Sequence, residues 1–256
     1  MAKKLKLSFD DALAEKLAKN TIKVSEDFDQ NLFFNHIQSK IESQELKARV
    51  ETFADALFMA FNNNYELACE SLLQTIGPEN LKEIGMFTEY YWLMPFAKFV
   101  EKYGLNYYDL SMHAISEVTK RNTCEFTIRP FIENYPEKTL NQMLIWSKHE
   151  NFHLRRLSSE GIRPRLPWAT KLNEFVNDPT PIIPILENLK NDPVKYVQRS
   201  VANCINDILK DNEAFAKELL QNWYYSSNDK ATRWIIKHAV RNYRKKEVAW
   251  AKEISI

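Results

Sequence analysis

Apolar residues recur along this chain at three- and four-residue steps, with polar residues between them. That period belongs to helices with one buried stripe. The clearest early stretches are Phe9–Lys19, Leu32–Glu42, Glu45–Phe61, Tyr65–Ile76 and Met94–Tyr103. Pro and Asn/Asp punctuate the pattern at Gly77-Pro78, Tyr135-Pro136, Asp178-Pro179 and Asp192-Pro193. No stretch alternates in the two-residue rhythm of a half-buried strand. The pattern therefore predicts an all-α protein of roughly ten or more helices with no sheet.

Three segments in the second half resemble one another: HLRRLSSEG at 153–161, YVQRSVANC at 196–204 and TRWIIKHAV at 232–240. Aligning Arg156, Arg199 and Arg233 gives spacings of 43 and 34 residues. Spacings of that order suit helical-pair repeats stacked into a curved solenoid. In the second segment Val197, Val201, Ile205 and Leu209 make an apolar stripe, and Arg199, Asn203 and Asp207 a polar one. Arg233, Lys237 and Arg241 repeat the polar spacing with positive charge. Stacked side by side, such helices align these stripes along one groove. Solvated faces of ordinary amphipathic helices give the same pattern.

Composition narrows the class. With 4 glycines in 256 residues, hairpin-rich architectures are disfavoured. Three cysteines, Cys69, Cys124 and Cys204, stand far apart and in odd number, which argues against a disulfide framework or a cysteine zinc site. No apolar run reaches the length of a membrane span, and no leader peptide opens the chain, so a cytoplasmic monomer is expected. The net charge of +1 hides a polarity. Val24–Leu93 carries 12 acidic and 4 basic residues; Lys148–Lys171 carries 2 and 6, and Lys230–Lys252 carries 1 and 8. Clustered positive charge is the footprint of a polyanion partner.

Several motifs are candidates for chemistry. His149 to His153 matches HExxH, the zinc-protease pattern, but Asn151 suits a helix N-cap. A helix starting there leaves His149 outside it, so no metal and no cofactor are expected. Gly161 suits a helix C-terminus, and Pro164 and Pro167 hold an extended loop from which Arg163 and Arg165 protrude. Trp168 follows at the expected start of the next helix, placed either to plug the core or to present a ring to a sugar or base. Glu125 stands four residues before Arg129, as in an ordinary helical ion pair, and Asp207 reads as a surface carboxylate.

The blocks TKRNTCEFTIRPFIENYP, HENFHLRRLSSEGIRPRLPWA, VQRSVANCINDILKDN and ELKARVETFADAL resemble the AlkC family of DNA alkylation-repair glycosylases, a sister of AlkD. They run from about residue 45 to 240. The resemblance implies one HEAT-like solenoid domain over 1–256, with a concave basic groove for double-stranded DNA, acting at the nucleoid. It also implies excision of N3-methyladenine and N3-methylcytosine type bases without base flipping. Glu125, Trp168 and Asp207 fall on the family's functional carboxylates and tryptophan, with either carboxylate open as the catalytic one. Arg156 falls on a DNA-contacting arginine. Arg163, Arg165, Arg199, Arg233, Lys237 and Arg241 complete the expected groove. Some members carry a C-terminal immunoglobulin-like domain; with the last helical segment ending near Ile256, none is expected here. A noncatalytic helical-repeat scaffold for DNA or protein explains the stripes equally well.

Overall fold

The computed structural model describes residues 5–84 and 89–255. Among them lie sixteen α-helices and no strand. The helical periodicity thus gave the right class, and the chain divides into two compact units, 1–130 and 131–256.

The first unit contains α1 (Asp11–Thr21), α2 (Gln30–Gln38), α3 (Leu46–Ala60), α4 (Tyr65–Leu73), α5 (Met94–Tyr103) and α6 (Tyr108–Thr119). Helices α2, α3 and α5 pack side by side, with α4 and α6 forming a second layer behind them. Aromatic side chains fill the space between: Phe9, Phe33, Phe53, Phe61 and Phe99 are fully buried. Tyr65 lies flat on Phe99 with centroids 5.0 Å apart. Gly104 ends α5 where a Cβ would come within 2.5 Å of both Ser111 Oγ and Tyr65 Oη, so this helix pair closes only around glycine. Side chains of Asp10, Asp29 and Asn64 each accept a backbone N–H at the start of α1, α2 and α4. Caps of this kind contribute about 1 kcal/mol apiece.

Short α7 (Arg129–Asn134) carries the chain across the division. The second unit follows with α8 (Pro136–Trp146), α9 (Phe152–Glu160), α10 (Asn173–Asn177), α11 (Ile183–Leu189), α12 (Lys195–Asp211), α13 (Glu213–Ser226), α14 (Lys230–Ala239), α15 (Arg241–Lys245) and α16 (Ala249–Glu253). Helices α9, α12 and α14 carry the three similar sequence segments, and they pack in that order as one layer. Their partners α8, α11 and α13 form the other layer. Paired antiparallel helices stacked in this way are the helical-repeat arrangement. The stripe Val197, Val201, Ile205 and Leu209 is almost wholly buried, as its four-residue step requires.

Local signals behave as their chemistry dictates. Asn151 caps α9, accepting from the His153 N–H at 2.9 Å. His149 therefore lies outside the helix, where its Nδ1 accepts from the Asn151 N–H at 2.9 Å. That geometry breaks the HExxH helix. Gly161 ends α9. One local expectation fails: Trp168 does not start a helix, since α10 begins at Asn173. The ten residues between Gly161 and Leu172 form an irregular loop instead, because Pro164 and Pro167 each disfavour helix in the residue before them.

Candidate nucleic-acid site

The loop from 162 to 172 is anchored at its root and open at its tip. Ile162, Leu166 and Leu172 are buried in the unit's core. The Leu172 N–H closes the loop on the Pro164 carbonyl at 3.2 Å. Two arginines tie it to α12. Contrary to the sequence reading of two protruding guanidinium groups, Arg163 is buried. Its Nε donates to Asp207 Oδ2 at 2.8 Å, and its Nη1 donates to Glu160 Oε1 at 2.7 Å. Two carboxylates below the loop outbid solvent for its charge. Burial opposes that charge, but Glu160 and Asp207 outweigh it and hold Arg163 above the ordinary arginine range. Arg165 remains partly exposed and makes a two-pronged ion pair with Asp211.

Trp168 sits beyond these anchors. It is 73% exposed, so the alternative of a core plug is excluded. Its φ is +65°. Left-handed backbone at a bulky aromatic residue costs on the order of 1–3 kcal/mol, and such strain concentrates at functional sites. Burial of the ring does not offset this cost. The strained residue lies between the buried anchors Leu166 and Leu172, which hold the loop at both ends.

Asp207 is not the surface carboxylate that its sequence context suggested. It is 1% exposed. Oδ2 accepts from Arg163, and Oδ1 accepts from Lys210 Nζ at 2.7 Å. The two partners differ: the Arg163 side chain is 10% exposed and that of Lys210 is 46% exposed. Glu160 continues the network. Its Oε2 accepts from Ser200 Oγ at 2.6 Å, and Ser159 Oγ donates to Ser200 Oγ at 2.7 Å. Arg156 stands 3.7 Å from Glu160 and packs over the Tyr196 ring, 4.9 Å from its centroid. Burial pushes the Glu160 carboxyl up, but Arg156 and Arg163, with the Ser200 hydroxyl, prevail and hold it below its usual value.

The polar stripe of α12 runs from solvent into this network. Arg199 is exposed, Asn203 is half-buried and Asp207 is buried. Asn203 Oδ1 accepts from Arg241 Nη2 at 3.0 Å, which brings α15 to the same stripe. Arg241 Nη1 also donates to the His238 carbonyl at 2.8 Å, and burial, with the charges of Arg241, Arg199 and Lys195, holds the His238 imidazole below its usual value. Lys237 is exposed one position away. Arg233 points elsewhere: it stacks on Tyr224 of α13, 3.7 Å from the ring centroid, and donates to Asn228 at 2.9 Å. Of the seven cations expected to line the groove, Arg163 serves the interior and Arg233 turns toward the other helical layer.

Three groups escaped the sequence reading. Lys195 lies over the Trp234 ring at 3.3 Å, and Trp234 stacks on His238 with centroids 4.8 Å apart and planes 11° from parallel. The four-residue step from Trp234 to His238 was the available signal. Their meeting with Lys195, on another helix, was not readable from it.

Glu125 belongs to the first unit, in the turns between α6 and α7. It is buried, and its Oε2 accepts from Thr123 Oγ1 at 2.7 Å. Nearby, Thr127 Oγ1 donates to the Ala97 carbonyl at 3.0 Å, pinning the turns to α5.

Comparison with known proteins bears on the family and the fold. The sequence model of the DNA alkylation repair enzyme family matches residues 97–243. The protein YhaZ of Bacillus subtilis (strain 168), described as uncharacterized, is 35% identical over 243 residues. The match takes in 94% of this chain and 65% of the YhaZ chain, so the present chain spans about two thirds of that relative's length. The alkylpurine DNA glycosylase AlkC of Pseudomonas fluorescens, solved bound to DNA containing an abasic site analog, superposes with a TM-score of 0.89 at 30% identity. That superposition covers 99% of this chain and 68% of the AlkC chain. With more than half its length matched by the family model, this chain belongs to the DNA alkylation repair enzyme family.

Proposed function

We propose that the protein is a monofunctional DNA glycosylase of base excision repair that hydrolyses the N-glycosidic bond of cationic alkylated bases. N3-methyladenine and N3-methylcytosine are the lesions it suits. The observation that carries this reading is the pairing of a buried carboxylate, Asp207, with a strained and exposed Trp168 on the loop anchored to it. The similarity to AlkC supports the same reading.

The chemistry asks little of the protein beyond electrostatics. Alkylation at N3 leaves the base positively charged and already a good leaving group, so no general acid is needed. The remaining barrier is the positive charge that develops on the deoxyribose. A fixed carboxylate beside the sugar stabilises that charge and orients the attacking water. Asp207 Oδ2 accepts from the buried Arg163, while its Oδ1 accepts from the half-exposed Lys210. A DNA phosphate can draw Lys210 away and leave Oδ1 toward the sugar. The Trp168 ring offers a face that attracts the same cation without a deep pocket, consistent with excision that does not flip the base. Glu125 is the alternative carboxylate, or a second one.

Single-turnover release of N3-methyladenine from methylated DNA tests the reading. Asp207→Asn or Glu125→Gln is expected to slow release by roughly a hundredfold, about 2.7 kcal/mol of barrier. Affinity for DNA should hold, because removing a negative charge does not weaken attraction to phosphates. Trp168→Ala should slow release and blunt discrimination between damaged and normal bases. A chelator should have no effect. Unchanged rates in both carboxylate variants would dismiss the mechanism, and no release by the native protein would leave a noncatalytic scaffold.

A further inference from the structure

Some cations in the second unit are matched by carboxylates. Arg155 pairs with Asp192, Arg165 with Asp211, Lys190 with Glu187, Lys210 with Asp207 and Lys252 with Glu247. Others, Lys217, Lys230 and Arg244 among them, make no ion pair among the described residues, and one such group is clustered. Lys195, Arg199 and Arg241 gather around His238, and among the described residues none of them makes an ion pair with a carboxylate. Lys195 donates to the Gln198 amide oxygen at 3.0 Å and lies on Trp234. Arg241 donates to the Asn203 side chain and to the His238 carbonyl at 2.8 Å. Each hydrogen-bond partner is neutral, and Asp207 offsets the charge of Arg241 only in part, since burial and Arg163 still hold Arg241 below the ordinary arginine range. Three like charges around one imidazole repel one another, which costs stability in the isolated protein. An arrangement of that kind suits an external anion.

We propose that Lys195, Arg199, His238 and Arg241 form a subsite for a backbone phosphodiester of DNA, with the Trp234 ring as its floor. The Trp234–His238 stack fixes the imidazole plane, and Lys195 lies over the same indole ring. Arg199 and Arg241 flank it from α12 and α15. The proposal rests on the reading that this chain acts on DNA, and it adds a defined anchoring point beside the carboxylate network rather than a role in the chemistry.

The site has a built-in consequence. Burial, with Arg241, Arg199 and Lys195, holds His238 below the usual histidine range, so it is neutral near pH 7 in the free protein. These are the charged groups brought to it by α12 and α15; its own helix adds Lys237 next to it and Arg233 five residues earlier, and α13 contributes Tyr224, which is occupied by Arg233. A phosphate in the subsite cancels the repulsion and favours the imidazolium. DNA binding therefore takes up a proton at His238.

The test is binding of the full chain to undamaged duplex, followed by fluorescence anisotropy across salt and pH. The variants are Arg199→Gln, His238→Gln and the double variant Lys195→Gln/Arg199→Gln, each with its melting temperature recorded. The native protein should bind several-fold more tightly at pH 5.5 than at pH 7.5. His238→Gln should remove most of that gain. The logarithmic salt slope should fall by about one unit in Arg199→Gln and about two in the double variant. Melting temperatures should stay level or rise. Native-like slopes and pH response in all three variants, with native affinity intact, would overturn the subsite while leaving the DNA reading untouched. Absence of any duplex binding by the native protein would overturn both.

Discussion

Helix α12 carries two charged regions of opposite design. Toward its C-terminal end, Asp207 lies between Arg163 and Lys210, with Glu160 and Ser200 extending the network. Every charge there has an opposite charge within reach, and most are out of water. Toward its N-terminal end, Lys195 and Arg199 sit with His238 and Arg241, where the hydrogen-bond partners are neutral. The difference teaches where each region's energy is spent. Matched buried charges are internal structure: they fix the root of the Trp168 loop, and separating them is costly. Unmatched charges near the surface weaken the fold slightly by their repulsion and are satisfied only by something that arrives.

The largest effect expected from this contrast is on stability. Arg163→Met leaves Glu160 and Asp207 buried without the guanidinium that bridges them, with only Arg156 and the half-exposed Lys210 to balance their charge. Removing one partner of a buried ion pair costs about 3–5 kcal/mol. The denaturant midpoint should fall accordingly at constant slope, and the loop should become sensitive to proteolysis near Trp168. Asp207→Asn should cost less, because the amide oxygen still accepts from Arg163. Arg199→Gln should leave the midpoint where it is. Equal midpoints for Arg163→Met and Arg199→Gln would break the distinction between the two regions.

A smaller effect is expected from pH, in the absence of DNA. The folded state holds His238 below its ordinary value of 6.5, so it binds fewer protons there than the unfolded chain does. Its contribution to stability is present above that value and is lost as pH falls below it. Glu160 is also held low, against an ordinary value of 4.5. Its contribution is present above pH 4.5 and is lost as pH falls through the depressed value of the folded state. Acid should therefore weaken the protein in two stages, histidine first. His36, held low by burial and by Lys40, acts in the same direction in the first unit. Melting curves from pH 8 to pH 4 should show the first stage shrink in His238→Gln. A first stage unchanged in that variant would mean that His238 does not feel its cationic neighbours.

How much of this was legible in the sequence follows from the range of each interaction. The buried stripe Val197–Leu209 and the N-cap at Asn151 are local, so spacing along one helix or one turn revealed them. The repeat positions Arg156 and Arg199 were visible for the same reason, and their helices do pack together. Arg163 was misjudged because its partner Asp207 lies 44 residues away. A lone Arg in a Pro-rich loop looks solvated until the helix beneath it is placed. Trp168 was flagged as a candidate through family resemblance, but its left-handed backbone depends on the loop's anchors at both ends. The Lys195–Trp234–His238 stack joins two helices across 39 residues and two residue types seldom read together. Pairing between elements, rather than the elements themselves, is what periodicity cannot supply.

The finest test compares two arginines that composition alone would count as equals. Arg165 and Arg199 are both in the basic half of the chain, and both reach solvent. Arg165 already holds Asp211 through two parallel hydrogen bonds. A phosphate approaching it meets a neutralised pair and must share the guanidinium or displace the carboxylate. Arg199 has no such partner, and a phosphate that neutralises it releases its full share of the counterion atmosphere. Arg199→Gln should therefore flatten the salt dependence of DNA binding by about one unit, and Arg165→Gln by clearly less. Asp211→Asn should then restore the lost portion, giving Arg165 the weight of an unpaired cation. Anisotropy titrations between about 50 and 200 mM salt cover the range in which these slopes are measured. If Arg165→Gln flattens the slope as much as Arg199→Gln, the Asp211 pair opens at no cost when DNA binds. The division between matched and unmatched cations would then stop at the buried network.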